Sequence, residues 1–240
     1  MISKNQLKTL AAYRLRKSCD EEEVFVVEGV KMAEEALRSG FGIRTICATA
    51  HWLAQHPTLR GENVVEVDEA SLERLSQLRS PNEVWMLVER GKVDGKESPL
   101  TLVCDRIQDP GNLGTIMRIA DWYGVRRMVC SEKTAWCYNP KVVQATMGAI
   151  FRTEVVYTDL EAWLQGCGMP VYGAVLGGDN LYEAGLCLPA ALVIGNESQG
   201  ISAAVEQQLT HRITIPNRGG TAESLNAAVA TGIVVAEFFR

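Results

Sequence analysis

Residues 109–124 read DPGNLGTIMRIADWYG, a stretch that joins an apolar helical pattern to one arginine on the opposite side. Four apolar residues recur at the i, i+3, i+4, i+7 spacing of a helix that packs against a core. They are Leu113, Ile116, Met117 and Ala120. Taken alone, the pattern is typical of a capped surface helix with Asn112 as N-cap and Gly124 after its last turn. Arg118 and Asp121 would then form an ion pair of little energetic consequence.

Short apolar strands alternate with helices on the carboxyl-terminal side of this stretch. Strands are predicted at 101–105, 126–131, 153–158, 170–176, 191–195 and 212–216. Further helices are predicted at 139–151, 159–166, near 201–209 and at about 224–239. This alternation indicates an α/β fold with a parallel sheet that helices cover on both faces.

The amino-terminal part reads as a smaller alternating α/β unit. Its predicted helices lie near 7–16, 30–39, 51–55 and 69–78, and its strands at 24–29, 44–49, 64–67 and 84–89. The stretch ERGKVDGKESP (89–99) is rich in charge, glycine and proline and nearly lacks apolar residues, which is typical of a linker. We therefore predict two domains, 1–95 and 96–240.

Composition limits the possible functions. The 240 residues carry a net charge of -5, which argues against attachment to nucleic acid by overall charge, so any RNA contact must be local. The seven cysteines form no CxxC pair and no metal site is evident, as expected of a reducing compartment. The sequence shows neither a signal peptide nor a membrane span, so we expect a cytoplasmic protein without a membrane partner.

Three loops that follow predicted strands carry polar residues that could bind a ligand or take part in a reaction. They are DRIQDPGNLG (105–114), GNESQG (195–200) and PNRGGTAESLN (216–226). Each could be explained by tight turns and helix caps, but ligands of open α/β sheets bind at the carboxyl ends of strands. The chain lacks GxGxxG after a strand and lacks GxxxxGK[ST], so the usual phosphate-binding loops are missing. This absence favours a nucleoside-like cofactor without a phosphate chain.

Four segments together resemble the motif series of the SpoU/TrmH branch of the SPOUT methyltransferases. They are NLGTIMRIADWYG (112–124), YNPKVVQATMGAIFR (138–152), LVIGNESQGIS (192–202) and ITIPNRGGTAESLNAAVATG (213–232). The segment FVVEGVKMAEEAL (25–37) resembles, more weakly, the ribosomal-protein-like RNA-binding unit that precedes the catalytic domain in several members. The second domain is thereby identified as a SPOUT catalytic domain, and the first as a substrate RNA-binding domain.

The resemblance implies a deep trefoil knot, which periodicity alone would not predict because knots are rare. It also implies a homodimer that binds S-adenosylmethionine in the knot and methylates the ribose 2′-hydroxyl of an RNA. The amino-terminal domain favours rRNA over tRNA as the substrate. The implied cofactor-binding residues are Val193, Ile194, Gly195, Asn196, Gly200, Ile215, Pro216, Ser224 and Leu225, and no metal is implied. The implied catalytic residues are Asn112, Arg118, Glu197, Ser224 and Asn226.

Arg118 is the residue that the resemblance places beside the reacting hydroxyl, and the family's proposals cast it as a base. A guanidinium stays charged in proteins and has no acceptor atom. We therefore expect Arg118 to bind the adjacent phosphate and to stabilise the developing alkoxide, while the proton passes to phosphate or water. By the same resemblance, Asn112 would hold Arg118 or the ribose and Glu197 would fix the guanidinium. Ser224 and Asn226 would complete the pocket from the opposite subunit relative to Arg118.

Two departures from the family pattern concern details of the site. The segment 217–223 is one residue longer than the usual glycine loop, and Gln144 stands where an arginine is common. Three alternatives stay open: a tRNA 2′-O-methyltransferase, a non-catalytic RNA-binding or assembly factor of the same fold, and an NAD-type oxidoreductase. The last is disfavoured by the missing glycine fingerprint.

Overall fold

The computed structural model describes residues 2–78, 82–93 and 98–240, which fold into two compact units. The first unit comprises Met1–Lys92 and Tyr138–Phe151, and the second comprises Val93–Cys137 and Arg152–Arg240. The predicted boundary at 95/96 lies outside the described residues and stays a prediction. The linear division assigned Tyr138–Phe151 to the second domain, whereas these residues pack with the first unit.

The first unit is built around a four-stranded mixed sheet in the order β1-β4-β2-β3. The strands are β1 (Val24–Glu28), β2 (Ile43–Ala48), β3 (Val64–Glu66) and β4 (Val84–Glu89). The helices are α1 (Lys4–Ala11), α2 (Arg16–Glu21), α3 (Val30–Ser39), α4 (Ala50–Gln55), α5 (Glu69–Leu75) and α7 (Pro140–Thr146). Strand β4 is antiparallel to both β1 and β2, while β2 and β3 are parallel.

The predicted helix at 7–16 is interrupted in the structure. Helix α1 ends at Ala11, a 3-10 turn covers Ala12–Arg14, and Leu15 takes an extended conformation before α2 begins. The predicted helix at 139–151 is shorter as well, because Met147 and Gly148 both have positive φ. A side chain at Gly148 would collide with Glu35 of α3, so the turn ends α7 where the two helices approach each other.

The second unit contains a six-stranded sheet in the order β10-β8-β9-β5-β6-β7, and all of its strand pairs are parallel. The strands are β5 (Leu100–Cys104), β6 (Arg127–Cys130), β7 (Glu154–Tyr157), β8 (Val171–Asn180), β9 (Ala190–Ile194) and β10 (His211–Thr214). The helices are α6 (Pro110–Trp122), α8 (Leu160–Gly166), α9 (Ala203–Glu206) and α10 (Ala227–Phe238). The central strands β5 and β9 are buried along their whole length, which explains their continuous apolar runs.

Helix α6 is the predicted helix of the opening stretch, and its apolar stripe is fully buried. The N-cap is Asp109, whose side chain accepts a hydrogen bond from the backbone N–H of Asn112 at 2.7 Å. The prediction of Asn112 as N-cap is therefore wrong, since Pro110 already occupies the first helical turn. Gly124 follows the last turn with φ +70°, as predicted.

Three bulk features bear on function. All seven cysteines are free thiols, and most of them are buried. None of the helices in the described ranges has the length and apolar character that crossing a bilayer requires. Within the same ranges, His, Cys, Asp and Glu side chains form no group of three or more that could hold a metal ion.

Candidate active site

A cavity of about 720 Å³ opens where β9 and β10 end, at the carboxyl edge of the second sheet. Its walls come from residues 174–176 of β8, the loop 194–201, the start of α10 and the segment before it, where residues 212–217, 220 and 222–225 line the cavity. The volume lies within the range of about 300–1,000 Å³ that is usual for small-molecule sites. The edge is also the one at which ligands of parallel sheets bind.

All but one of the predicted cofactor-binding residues line this cavity. They are Ile194, Gly195, Asn196, Gly200, Ile215, Pro216, Ser224 and Leu225. Val193 is the exception: its side chain is fully buried in β9, between Val103 of β5 and Gly173 of β8. Its prediction as part of the cofactor site is therefore unsupported by the cavity.

The GNESQG loop forms a tight, internally bonded wall of the cavity. The backbone groups of Asn196 and Gly200 bond to each other in both directions at 2.9 Å. The side-chain oxygen of Asn196 accepts from the backbone N–H groups of Ser198 and Gln199 at 3.0 and 3.1 Å. A side chain at Gly195 would collide with the backbone of Gly200, so glycine is required there. The motif spacing thus reflects a closed loop of fixed shape.

The charge of the cavity lining is predominantly negative. Glu197, Glu206 and Glu223 all contribute to it. Arg212 is the one cation among the described lining residues, and its guanidinium donates to the carboxylate of Glu206. A site of this composition suits a positively charged ligand and lacks the free cations that a phosphate group would need.

Three of the predicted catalytic residues meet at the rim of the cavity. Asn226 Nδ2 donates to Asn112 Oδ1 at 2.8 Å, and Asn112 Nδ2 donates to Glu197 Oε1 at 2.8 Å. The side-chain oxygen of Asn226 also caps α10 by accepting from the backbone N–H of Ala228 at 2.9 Å. Asparagine suits the central position because its amide both donates and accepts. Hydrogen bonds therefore join the three loops that the sequence singled out.

Arg118 stands apart from these three residues. Six residues of helix separate it from Asn112, which corresponds to about 9 Å along the axis and about 120° around it. Its side chain is exposed and makes no hydrogen bond or ion pair with any residue that the structure describes. The predicted contacts of Arg118 with Asn112 and Glu197 are therefore not formed within this single chain.

The alternative partner of Arg118, Asp121, is engaged elsewhere. Its carboxylate lies 2.9 Å from Arg152 Nε and 3.6 Å from Arg126 Nη1. The ion pair between Arg118 and Asp121 that the helical spacing suggested is thus wrong. Arg118 remains available to a group outside the chain.

A bulge in β8 supplies a cavity wall that the sequence analysis missed. The pairing with β10 jumps from Arg212 opposite Gly173 to Ile213 opposite Asp179, which leaves residues 174–178 out of the ladder. Thr214 Oγ1 holds the bulge by donating to the backbone C=O of Val175 at 2.8 Å. The pair Gly177–Gly178 was the available signal, because adjacent glycines within a strand often mark a bulge.

The comparisons with known proteins agree with this geometry. The sequence model of the SpoU rRNA Methylase family matches residues 99–236, and that of the MRM3-like substrate binding domain matches residues 4–85. The chain belongs to the SpoU rRNA methylase family. The family resemblance and the α/β fold class with a parallel sheet, both expected from the motifs, are confirmed.

Relatives and solved structures cover nearly the whole chain. The 23S rRNA (guanosine(2553)-2′-O)-methyltransferase RlmP of Bacillus subtilis is 29% identical over 97% of this chain and 96% of its own. A TrmH-family protein from Porphyromonas gingivalis is 39% identical, with a TM-score of 0.88 over 99% of this chain and 98% of its own. An AdoMet-bound rRNA methyltransferase from Sinorhizobium meliloti is 28% identical, with a TM-score of 0.85 over 99% and 96%.

Proposed function

We propose that this protein transfers a methyl group from S-adenosylmethionine to the 2′-hydroxyl of a ribose in rRNA. The observation that carries the proposal is the hydrogen-bonded chain Asn226–Asn112–Glu197 at the rim of the cavity. The reaction is the one named for the Bacillus subtilis relative, and the Sinorhizobium meliloti structure contains the cofactor. Both relatives match this chain from the first unit to the second.

The cavity fits S-adenosylmethionine in size and charge. Its lining offers carboxylates to a sulfonium cation and no unpaired cation among the described residues to a pyrophosphate. The closed GNESQG loop and the segment Ile215–Pro216 present backbone groups and apolar surface, which suit an uncharged nucleoside. When bound, the cofactor supplies an electrophilic methyl group on sulfur. The expected trefoil knot, in which the carboxyl-terminal segment threads a loop, would include the chain around this cavity.

The residues at the rim then divide the work. Asn112, Glu197 and Asn226 hold the cavity edge in one shape, so that a ribose meets the methyl carbon in a fixed orientation. The ribose oxygen would bond to that carbon as the carbon–sulfur bond breaks. Its proton would pass to phosphate or water, while the charge of Arg118 stabilises the oxygen and binds the neighbouring phosphate. Ser224 lines the cavity and is proposed to contact the cofactor or the ribose.

We infer that two copies of the chain form the working enzyme. Helix α10 carries no charge from Ala227 to Ala236 and leaves Val229 52% exposed. On α6, which packs on α10, Trp122 is 84% exposed and lies one helical turn beyond Arg118. A second copy that covered this apolar face would bring Arg118 towards the cavity of its partner. This arrangement would explain why Arg118 lies away from Asn112 in its own chain.

The dimer is tested by replacing the exposed tryptophan. Trp122→Asp is expected to give monomers in light scattering at micromolar concentration, where the wild type gives dimers. Methyl transfer should fall with it, while circular dichroism shows that the monomer stays folded; the thermal midpoint should fall as well, because association stabilises the native state of the wild type. A monomeric wild type would contradict the proposal.

The first unit is the proposed RNA-binding part, because residues 4–85 match a substrate binding domain. Of the basic residues near its start, Arg14 donates to the backbone C=O of Ser76 at 2.8 Å, and Arg16 and Lys17 pair with Asp20 and Glu21. Gln144 donates to the backbone C=O of Glu28 at 2.6 Å. Lys4 and Lys8 form no ion pair with any residue that the structure describes, so these two cations are the basic residues of this segment that we expect to contact RNA phosphates. Such an enzyme would act in the cytoplasm, where both its substrates occur.

The proposed function is tested with labelled cofactor and RNA. The protein is incubated with S-[methyl-³H]adenosylmethionine and total RNA from a strain that lacks its gene, and the labelled nucleotide is mapped by its resistance to alkaline hydrolysis. The expected result is one 2′-O-methylated ribose in rRNA. Label in tRNA would correct the substrate, and cofactor binding without label in any RNA would favour a non-catalytic RNA-binding factor.

A further inference from the structure

Two residues that directly follow β5, Asp105 and Arg106, contact the chain at the GNESQG loop (195–200) and just beyond it, although neither lines the cavity. Asp105 is 2% exposed, and its Oδ2 accepts from the backbone N–H of Ser202 at 2.6 Å. The backbone N–H of Arg106 donates to Ser131 Oγ at 2.9 Å. Arg106 is therefore fixed on the side of β6, whereas Asp105 is fixed on the side of β9, where its backbone N–H also donates to the backbone C=O of Ile194 at 2.9 Å.

Arg106 holds the GNESQG loop by three contacts. Its backbone C=O accepts from Asn196 Nδ2 at 2.8 Å, at the start of the loop. Its Nη1 donates to Gln199 Oε1 at 3.0 Å, and its Nη2 lies 3.4 Å from the backbone C=O of Gly200, at the end of the loop. One residue thus contacts both ends of the loop that carries Glu197.

The backbone of Arg106 has a strained conformation for a residue that carries a side chain. Its φ of +58° lies in the left-handed region, where a residue with a Cβ is disfavoured and glycine fits without strain. Arginine nevertheless occupies the position, and its side chain is only 23% exposed. A non-glycine residue held in this region is a reason to look for a function of the side chain.

We propose that Arg106 is a positioning residue for cofactor binding, which acts by holding the 196–200 loop against the cavity. The inference rests on the proposed function for the identity of the ligand, but the hold on the loop does not depend on it. Asp105 shares the task by fixing Ser202 just beyond the loop. Without the guanidinium, the loop would keep its internal hydrogen bonds and the bond from Asn196 to the backbone C=O of Arg106, and would lose the two side-chain contacts at Gln199 and Gly200.

The test uses Arg106→Gly, because glycine removes the side chain and suits the left-handed backbone. Arg106→Lys keeps the charge but loses the planar fork that reaches two acceptors. Glu23→Gly is the matched control, since Glu23 also has a positive φ, 52°, and an exposed side chain in the first unit. Three quantities are measured in the full-length protein: amide hydrogen exchange of peptides covering 195–202, the Kd for S-adenosylmethionine by calorimetry, and the thermal midpoint.

Arg106→Gly is expected to speed exchange in 195–202 and to weaken cofactor binding about tenfold, as the loss of a charged hydrogen-bond donor predicts. Arg106→Lys should fall between it and the wild type, and Glu23→Gly should match the wild type in both quantities. Unchanged exchange, or a lower thermal midpoint with an unchanged Kd, would overturn the inference and leave the proposed function intact. A wild type that bound no S-adenosylmethionine would contradict the proposed function, and with it the cofactor part of this inference.

Discussion

Glu28 in the first unit and Glu197 in the second both accept hydrogen bonds from residues far away in the sequence, but their surroundings differ. Glu28 is 3% exposed and is bound by the hydroxyl of Ser76 and, at 3.0 Å, by the backbone N–H of Gln77. Glu197 is exposed, lines the cavity and is bound by Asn112 at 2.8 Å. The buried carboxylate fastens the chain after α5, whereas the exposed one fixes a rim at which a ligand can bind.

The same chemical group therefore contributes to stability or to function according to whether the fold buries it or leaves it at an open cavity. A buried polar group without its partners costs free energy, so changes around Glu28 should appear in unfolding experiments. A polar group at an open cavity loses little when it meets water instead. Changes around Glu197 and Arg118 should therefore appear in binding and turnover.

The largest effect is expected at Arg118, in the proposed catalytic machinery. Arg118→Ala should lower kcat for rRNA methylation by about 100-fold or more, because it removes a preorganised charge from the developing alkoxide. Its thermal midpoint should match the wild type, since Arg118 has no partner among the described residues. Arg127→Ala is the control. It removes an arginine whose partner, Glu154, lies 3.6 Å away, and both residues are at the amino-terminal ends of their strands, opposite the edge that carries the cavity. If Arg118→Ala turned over as fast as Arg127→Ala, the proposed role of Arg118 would be wrong.

The second largest effect is expected at the buried carboxylate of Glu28. Glu28→Ala should lower the free energy of unfolding by about 1–3 kcal/mol, because the groups of Ser76 and Gln77 would lose their buried acceptor. Denaturant titration measures the loss. The Kd for S-adenosylmethionine of the folded variant should equal that of the wild type. A changed Kd with an unchanged free energy of unfolding would contradict the assignment of Glu28 to stability and of Glu197 to binding.

Asn112→Ala should have a smaller effect, and this effect should be on turnover rather than on stability. The loss of its two side-chain hydrogen bonds at the rim should reduce kcat/KM about tenfold, with a change in unfolding free energy below that of Glu28→Ala. The backbone N–H of Asn112, which Asp109 caps, is unaffected by the substitution, so α6 should stay intact. Circular dichroism and steady-state kinetics on the same samples check both parts. If the variant were partly unfolded and its folded molecules had wild-type activity, Asn112 would contribute to stability alone.

The smallest effect is a pH dependence of stability in the first unit. Burial raises the pKa of Glu28 above its ordinary value of 4.5, against the hydrogen bonds from Ser76 and Gln77, which lower it. The folded state therefore keeps this proton to a higher pH than the unfolded chain, so stability falls as the pH rises from about 4.5 through the folded pKa. Glu28→Gln cannot titrate, so its stability relative to the wild type should improve across that interval. Denaturant titrations at several pH values between 4 and 7 measure the difference, and parallel curves would contradict it.

Part of the candidate site was predictable from local sequence. The apolar spacing of α6, its stop at Gly124 and the glycines of GNESQG are dictated within a few residues by helical periodicity and backbone geometry. All but one of the residues predicted from the motifs at 192–202 and 213–232 to bind the cofactor line the cavity, and their role in binding it stays a prediction. The choice of N-cap was wrong because Asp109 and Asn112 are both good caps, and Pro110 places the helix start one turn earlier than predicted.

The sequence by itself determined that this chain contains α/β units, a parallel sheet and three polar loops at the ends of strands, because those features follow from short-range pattern. Only the tertiary structure decided that Asn112 contacts Glu197 and Asn226, that Tyr138–Phe151 belongs to the first unit, and that β8 bulges into the cavity. It also decided that Arg118 has no partner within its described chain. These outcomes depend on groups that are far apart in the sequence, and their free energies are set by burial and packing that no local pattern records.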